Sequence, residues 1–314
     1  MIDESQLSLS HCSVLLNDVV KWLNPLTGRQ FLDCTFGGGG HTEALLQANE
    51  KIFVYAIDRD PSAKQRAQVF SLSHSNFRFY QINFSEVGCL HLPPLDGILM
   101  DLGVSSFQLD DENRGFSFRH HTMLDMRMDN TRGVTAADFL YKASEYDLTI
   151  AIRDYGEEEY WKKIVHVILE NRKGLDMKYA DSFAKIVSNC IPKKRGQKIH
   201  PATKTFQGIR IFINDEIGSL EAALPILFDK LTIGGRLVVI SFHSLEDRIV
   251  KKFFNRMAGK AIDRFDSQSQ QDRVSYANIL TKKPITADES EINSNPRSRS
   301  AKLRILEKTH HTLD

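Results

Sequence analysis

The feature that most constrains this chain is an alternation of buried strands with helices. Four apolar stretches read as strands: RQFLDCTF, IFVYAIDRD, FRFYQINF and LDGILMDLGV. Helical stretches such as HTEALLQA and PSAKQRAQVF separate them. This rhythm predicts a parallel sheet with helices on its faces, which is an α/β fold.

The alternation stops after the fourth strand and returns near the C-terminus. The middle of the chain has helical patterns, with capping-box starts at Thr135 and Ser144 and an apolar helix face from Trp161 to Leu169. Later, DEIGSLEAALPILFDKL predicts a helix, TIGG a turn, and RLVVISF a fifth strand. Ser244 is expected to cap the helix HSLEDRIVKKFF, and AKLRILEK is expected to form a final strand.

These patterns predict one α/β domain interrupted by a helical insertion. We expect residues 1–112 and 205–314 to form the α/β domain, and residues 113–204 to form an inserted helical domain that recognises substrate. The polar stretch from Asp263 to Ser300 predicts a long mobile loop.

Composition excludes several classes of protein. Of 314 residues, 41% are apolar and 26% charged, so a folded core is expected. There is no basic leader before an apolar stretch and no apolar run of membrane-spanning length, so we expect no membrane partner. The four cysteines are dispersed without a C-x-x-C pair, which favours reduced thiols and a cytoplasmic location.

A metal site is not predicted. Asp125 and Asp129 in LDMRMD are acidic, but no further ligands converge on them in the sequence. A solvated loop held by Arg127 is the expected structure there.

Four consecutive glycines, Gly37 to Gly40, follow the first strand and precede a helix. The dinucleotide fingerprint fails because its third glycine would fall at Thr42, and no Lys-Ser/Thr pair follows to make a P-loop. With Asp33 in the first strand and Asp58 ending the second, the pattern suits S-adenosylmethionine (SAM), which has a ribose but no phosphates. The alternative is a tight turn with Asp58 as a solvated strand end.

Asp101 ends the fourth strand, where functional groups of open parallel sheets gather. Enzymes that methylate amino groups place a hydrogen-bond acceptor here, because it localises the lone pair of an exocyclic amine and can receive the departing proton. A turn cap is the alternative for Asp101. His11 and His243 are ambiguous, since each can be structural.

A basic segment, PKKRGQKIHPATKTFQGIR, lies where the insertion rejoins the α/β domain. Its aromatic and imidazole rings, Phe206 and His200, accompany a cluster of cations that suits single-stranded or looped RNA. A solvated basic face is the alternative. The candidate RNA-binding cations are Lys193, Lys194, Arg195, Lys198 and Lys204.

Several motifs together resemble one bacterial family, RsmH (MraW). They are TFGGGGHT, AIDRDP, GILMDLGVSSFQLDDENRGFSF, LDMRMD, HPATKTFQGIRIFINDE, GGRLVVISFHSLEDRIVK and NPRSRSAKLRI, and they run from His11 to about Leu306. The resemblance implies a Rossmann-like class I methyltransferase fold, mostly parallel, with an inserted all-helical domain. It also implies SAM-dependent methylation of a cytosine N4 in the decoding centre of small-subunit (16S) rRNA.

The resemblance further implies a set of cofactor contacts. Asp58 would hold the ribose and Phe84 would border the adenine. The remaining contacts would be Gly39, Gly40, His41, Asp101 and Gln108. The chain departs from the usual family pattern at two places, where Cys34 replaces a glycine and Gly38 replaces an arginine.

The reaction implied is direct in-line methyl transfer without a covalent enzyme intermediate, accelerated by positioning and desolvation. Asp101 is the first candidate for the proton acceptor, and Ser105 and His11 are further candidates. The expected partner is small-subunit rRNA or an assembled 30S-type subunit, and the oligomeric state is open.

Two other functions fit part of the sequence. A DNA amino-methyltransferase typically has an aromatic residue at the fourth position of the motif after strand four, but this chain has Val104 there. A SAM-binding ribosome assembly factor without turnover would carry the same cofactor pocket.

Overall fold

The computed structural model describes residues 13–192, 196 and 199–311. Its seven-stranded sheet has the order β3-β2-β1-β4-β5-β7-β6. The strands are β1 Gln30–Asp33, β2 Phe53–Asp58, β3 Phe77–Gln81, β4 Leu95–Asp101, β5 Leu231–Ser241, β6 Ala277–Ile279 and β7 Lys302–Lys308. Strands β1 to β5 pair in parallel, and β7 runs antiparallel to β5 and β6. The predicted mostly parallel α/β fold is therefore confirmed.

Helices connect these strands and build the inserted region. They are α1 Leu16–Leu23, α2 Gly40–Ala48, α3 Pro61–Ser73, α4 Ser106–Asp110, α5 Ala136–Lys142, α6 Glu145–Thr149, α7 Trp161–Asn171, α8 Ala180–Cys190, α9 Thr203–Asn214, α10 Glu216–Lys230, α11 Ser244–Met257 and α12 Glu289–Ser294. A π-helical turn spans Ile150–Tyr155. Short 3-10 helices span Phe84–Cys89, Glu112–Arg114, Leu175–Lys178, Gln270–Asp272 and Pro296–Ser300. No helix among the described residues is long and apolar enough to cross a membrane.

The strands are almost continuously apolar because both faces of the sheet are covered. In β4, Ile98 and Met100 enter one buried cluster with Leu224 and Phe254 of the helices. Leu99 points the other way, into a second buried cluster that includes Phe31, Val54 and Ile305.

The chain divides into two compact units. One comprises Met1–Gly103 with Ile217–Asp314 and contains the sheet; the other is Val104–Glu216 and is helical. The boundaries thus lie at 103/104 and 216/217, where the sequence pointed to 112/113 and 204/205. They differ because α4 and α9, which flank the expected insertion, pack with its helices.

The helical unit has its own core. On α7, Ile164, Val165 and Ile168 are buried, as the apolar periodicity predicts. Helix α9 approaches the π-helical turn so closely that a Cβ on Gly208 would meet the Ala151 carbonyl oxygen. A glycine at this position lets the two backbones pack together.

The TIGG segment, which the sequence predicts to be a turn before the fifth strand, is instead an irregularity inside β5. Leu95 pairs with Leu231 and Gly97 with Arg236, so the intervening residues of β5 are accommodated by a register shift. Gly234 has a φ of 83°, which allows the chain to bend there while remaining in the sheet.

Helix α11 is capped by His243, not by Ser244. The His243 ring accepts a hydrogen bond from the Glu246 backbone N–H, and the Glu246 side chain accepts from the His243 N–H. The imidazole therefore performs the task that sequence patterns assign to short hydroxyl side chains.

The segment 263–300 is not a continuous loop. It contains β6, α12 and two short 3-10 helices. The sequence signal is weak because β6 is only three residues long and lies at the sheet edge, with one neighbouring strand. Its pairing with β7 supplies the order that the local pattern does not reveal.

Candidate cofactor site

The site begins in the glycine-rich turn between β1 and α2. Gly37 and Gly39 have φ values of 51° and 84°, in the left-handed region that favours glycine. A Cβ on Gly39 would also meet the Phe36 ring at 2.8 Å. The turn leads into the N-terminus of α2, whose first backbone N–H groups have no partner within the helix and can hold a polar ligand.

Asp58 fastens this turn to the end of β2. Its two carboxylate oxygens accept hydrogen bonds from the Gly37 N–H (2.7 Å) and the Asp60 N–H (2.9 Å). The Arg66 side chain donates to the Gly37 carbonyl at 2.8 Å, which holds the turn from its other side. Burial raises the pKa of Asp58 to about 6, against the opposing effect of the two backbone hydrogen bonds.

A second group of polar side chains meets where β1 and β4 end. His41 Nε2 lies 3.5 Å from Asp101 Oδ2. Thr42 donates to the buried Asp33 carboxylate at 2.8 Å, and the Asp101 N–H donates to Thr35 Oγ1 at 2.8 Å. The pKa of Asp33 is raised above its ordinary value because burial outweighs the effects of His41, Thr35 and Thr42.

Three buried atoms in this group have no hydrogen-bond partner in the structure: Nδ1 and Nε2 of His41 and Oδ1 of Asp101. A buried polar atom without a partner costs about 1–3 kcal/mol. Such atoms beside a bare glycine turn fit a polar ligand, and SAM supplies an amine, a carboxylate and ribose hydroxyls. The hydrogen-bonding groups at this edge of the sheet therefore suit the cofactor.

Phe84 follows β3 at the same edge of the sheet. In the register of the parallel strands, Asp58 pairs with Gln81, so Phe84 comes three residues beyond the level of Asp58. Asn83 fixes the local chain through a capping box with Glu86. Phe84 is half-buried and packs on the apolar cluster beneath the sheet.

Ser105 and Gln108 lie in the helical unit, at the start of α4. The Ser105 hydroxyl accepts from the Gln108 N–H (3.2 Å), and the Gln108 carboxamide oxygen accepts from the Ser105 N–H (2.9 Å). This capping box accounts for both residues locally. Their expected roles at the target amine and the cofactor stay predictions.

The other candidate residues are placed as follows. His11 and the cations Lys193, Lys194, Arg195 and Lys198 lie outside the described residues. Lys204 is exposed on α9, and its ammonium donates to the Glu157 carbonyl at 2.9 Å. Arg127 makes a bidentate contact with Asp125, as the sequence indicates.

Sequence reasoning missed the threonines of this site. Thr35 and Thr42 orient Asp101 and Asp33, and no periodic pattern distinguishes them from other turn residues. Their positions, two residues after the end of β1 and two residues after the last glycine, were the available signal. His41, Asp33 and Asp101 are brought together by strand pairing of β1 with β4.

The fold and this site define a class of protein. The sheet order, the antiparallel β7, the bare glycine turn and the acid that ends β2 form a Rossmann-like domain of the SAM-dependent methyltransferase class. Residues 8–309 match the MraW methylase family. The chain belongs to this family, and SAM is its cofactor.

Relatives from several bacteria agree with this membership. A protein of Rickettsia bellii (strain OSU 85-389) is 43% identical over 303 residues, which cover 95% of this chain and 98% of the relative. One of Neorickettsia sennetsu is 42% identical over 306 residues, covering 97% of this chain and 98% of the relative. Both bear the name Ribosomal RNA small subunit methyltransferase H.

Among solved structures, an rRNA methylase from Streptococcus thermophilus aligns with a TM-score of 0.41 at 10% identity. The alignment covers 94% of each chain. This similarity is too low to bear on function.

Proposed function

We propose that this protein transfers a methyl group from SAM to the exocyclic N4 of a cytidine in small-subunit (16S) rRNA, in the decoding centre. Membership of the MraW methylase family and the shared name of the relatives support an rRNA substrate. The proposal for N4 rests on one observation, the buried Oδ1 of Asp101, which has no hydrogen-bond partner in the structure.

Asp101 suits a reaction at an exocyclic amine. The lone pair of a cytosine N4 is delocalised into the ring, and a carboxylate that accepts an N4–H hydrogen bond draws it back toward nitrogen. When the new N–C bond forms, the amine must release one proton, and the Asp101 carboxylate can receive it. Proton transfer by a positioned group typically contributes about 10²- to 10⁴-fold in rate.

The bound cofactor supplies an electrophilic methyl group on a sulfonium. In our proposal the chain's own residues bind and orient it. The backbone at Gly39 and Gly40, with His41, holds the methionine end. Asp58 accepts from the ribose hydroxyls, since each carboxylate oxygen has a second lone pair beyond the one used by Gly37 or Asp60. Phe84 borders the adenine, and Gln108 completes the pocket.

The helical unit, with the basic segment that it contains, is proposed to bind the RNA. Lys193, Lys194, Arg195 and Lys198 would contact phosphates, as would Lys204, whose ammonium keeps further N–H groups beyond the one donated to Glu157. The substrate is small-subunit rRNA, free or within a 30S-type subunit. Because that substrate is ribosomal, we place the reaction in the cytoplasm.

The test is single-turnover methylation of small subunits that lack the modification, with labelled SAM at saturating concentration. Wild-type protein is expected to label the rRNA, and nucleoside analysis is expected to place the label on cytidine N4. Asp101→Asn should slow the step by about 10²-fold or more. Asp272→Asn, an exposed carboxylate in the same unit, is the matched control and should behave as wild type.

SAM affinity is measured in parallel, because Asp101 is also a proposed cofactor contact. If Asp101→Asn transfers at the wild-type rate with SAM bound, Asp101 is not the proton acceptor. If no label reaches the rRNA although SAM binds, the protein is an assembly factor without turnover. Label on DNA but not on rRNA would instead identify a DNA amino-methyltransferase.

A further inference from the structure

The first described residues of the chain pack against the cofactor turn. A Cβ on Gly40 would run into the Ser13 hydroxyl oxygen, so the space beside the N-terminus of α2 is occupied by Ser13. Val14 and Leu15 follow and are buried in the cluster that contains Phe36 and Leu45. The segment Ser13–Leu15, named here the N-terminal strap, thus lies directly on the glycine turn that holds SAM.

The strap has an unfavourable backbone conformation. Leu15 has φ 52° and ψ 36°, in the left-handed region that residues other than glycine rarely adopt. Such a conformation persists only where surrounding contacts impose it. Burial of the Leu15 side chain is one such contact.

A second contact comes from the far end of the chain. The Leu15 N–H donates to Glu291 Oε1 at 2.6 Å, a short bond to a carboxylate. Glu291 lies on α12, in a segment that sequence patterns leave as a loop. The bond therefore connects the strap on the cofactor turn to α12.

Helix α12 is built to present this carboxylate. The Asp288 side chain caps it by accepting from the Glu291 N–H at 2.8 Å, so the Glu291 backbone is fixed. Glu291 is half-buried, whereas Glu289 on the same helix is exposed. The two glutamates share a helix and a charge but differ in this one bond.

We infer that Glu291 is a positioning residue for cofactor binding: through the Leu15 amide it holds the N-terminal strap against the glycine turn, and so slows release of SAM. The inference rests on the cofactor role of that turn.

The experiment compares four full-length proteins: wild type, Glu291→Asp, Glu291→Gln and Glu289→Asp. Aspartate keeps the charge on α12 but shortens the side chain by one methylene, so it cannot reach the Leu15 amide. Glutamine keeps the length and an acceptor oxygen without the charge. Glu289→Asp makes the same chemical change at the exposed position and is the matched control.

Binding of SAM is measured by calorimetry, and its release by stopped-flow displacement, both without RNA. We expect Glu291→Asp to raise the Kd about tenfold, mainly through faster release. Glu291→Gln should lie between it and wild type, and Glu289→Asp should match wild type. In turnover, the KM for SAM should rise for Glu291→Asp while kcat at saturating SAM stays near wild type.

Hydrogen exchange at the Leu15 amide supplies a readout of the strap itself. In Glu291→Asp this amide should exchange faster while amides of the central strands keep their protection. Unchanged SAM affinity in Glu291→Asp, or equal losses in Glu291→Asp and Glu289→Asp, would overturn the inference. Because the calorimetry, the displacement and the hydrogen-exchange experiments contain no RNA, their result is separate from whether rRNA is the methyl acceptor.

Discussion

Acidification should weaken cofactor binding through Asp58. In the unliganded protein burial raises the pKa of this carboxyl from 3.8 to about 6. As a proposed ribose ligand, Asp58 must be ionised to accept from both hydroxyls while it also accepts from Gly37 and Asp60. Protonation replaces one acceptor with a donor. Affinity for SAM is therefore expected to fall as the pH drops through about 6.

The size of the effect follows from the ionised fraction. At pH 8 nearly all molecules carry the ionised Asp58, whereas at pH 5 only about one in eleven does. When only that fraction is competent, the apparent Kd rises by the inverse of the fraction, which is about tenfold. This corresponds to about 1.4 kcal/mol of binding free energy.

The assay is calorimetric titration with SAM at pH values between 5 and 8. Asp58→Asn is the control, because its carboxamide does not titrate and should bind weakly with little dependence on pH. Any pH dependence that both proteins share belongs to the ligand or to other groups. A wild-type affinity that stays constant from pH 8 to pH 5, or a mutant with the same pH profile, would refute the reasoning.

The raised pKa of Asp58 also determines how the stability of the unliganded protein depends on pH. The pKa is higher in the folded state than in the unfolded chain, so the folded state binds the proton more tightly. Stability contributed by Asp58 is therefore greatest below pH 4 and falls as the pH rises to about 6. A shift of about two pKa units limits the loss to about 3 kcal/mol, and the half-buried position of Asp58 makes the actual loss smaller. Urea denaturation of wild type and Asp58→Asn across this range measures it.

Three further substitutions test the packing. Gly39→Ala places a side chain at a φ of 84° against the Phe36 ring, so we expect a loss of about 1–2 kcal/mol of stability and weaker SAM binding. Gly88→Ala, whose Cβ has ordinary contacts, is the control. Equal melting temperatures for the two variants would contradict the reasoning. Arg210→Met removes the bidentate partner of the buried Glu216 and should lower the free energy of unfolding, measured by urea denaturation, by about 3 kcal/mol. A decrease below about 0.5 kcal/mol would mean that the pair contributes little to stability. Gly208→Ala should lower the melting temperature through a loss of about 3 kcal/mol, because its Cβ has no room beside the Ala151 carbonyl, and an unchanged melting temperature would show that α9 can move away.

The sequence by itself determined the features that depend on neighbours in the chain. Alternating strand and helix patterns predicted the sheet, because an all-apolar strand must be covered on both faces. The run Gly37–Gly40 and the acid Asp58 predicted a cofactor turn, since a turn and a strand end have local signals. The family motifs added the candidates Phe84 and Gln108, which periodicity alone did not single out.

Tertiary structure decided the features that depend on distant partners. His41 and Asp101 meet because β1 and β4 pair, and their burial is what leaves their polar atoms without partners. The cap of α11 is an imidazole, and β6 exists because β7 offers it an edge. Glu291 reaches Leu15 across 276 residues of chain, a contact that no local pattern predicts because only the completed fold brings the two ends together.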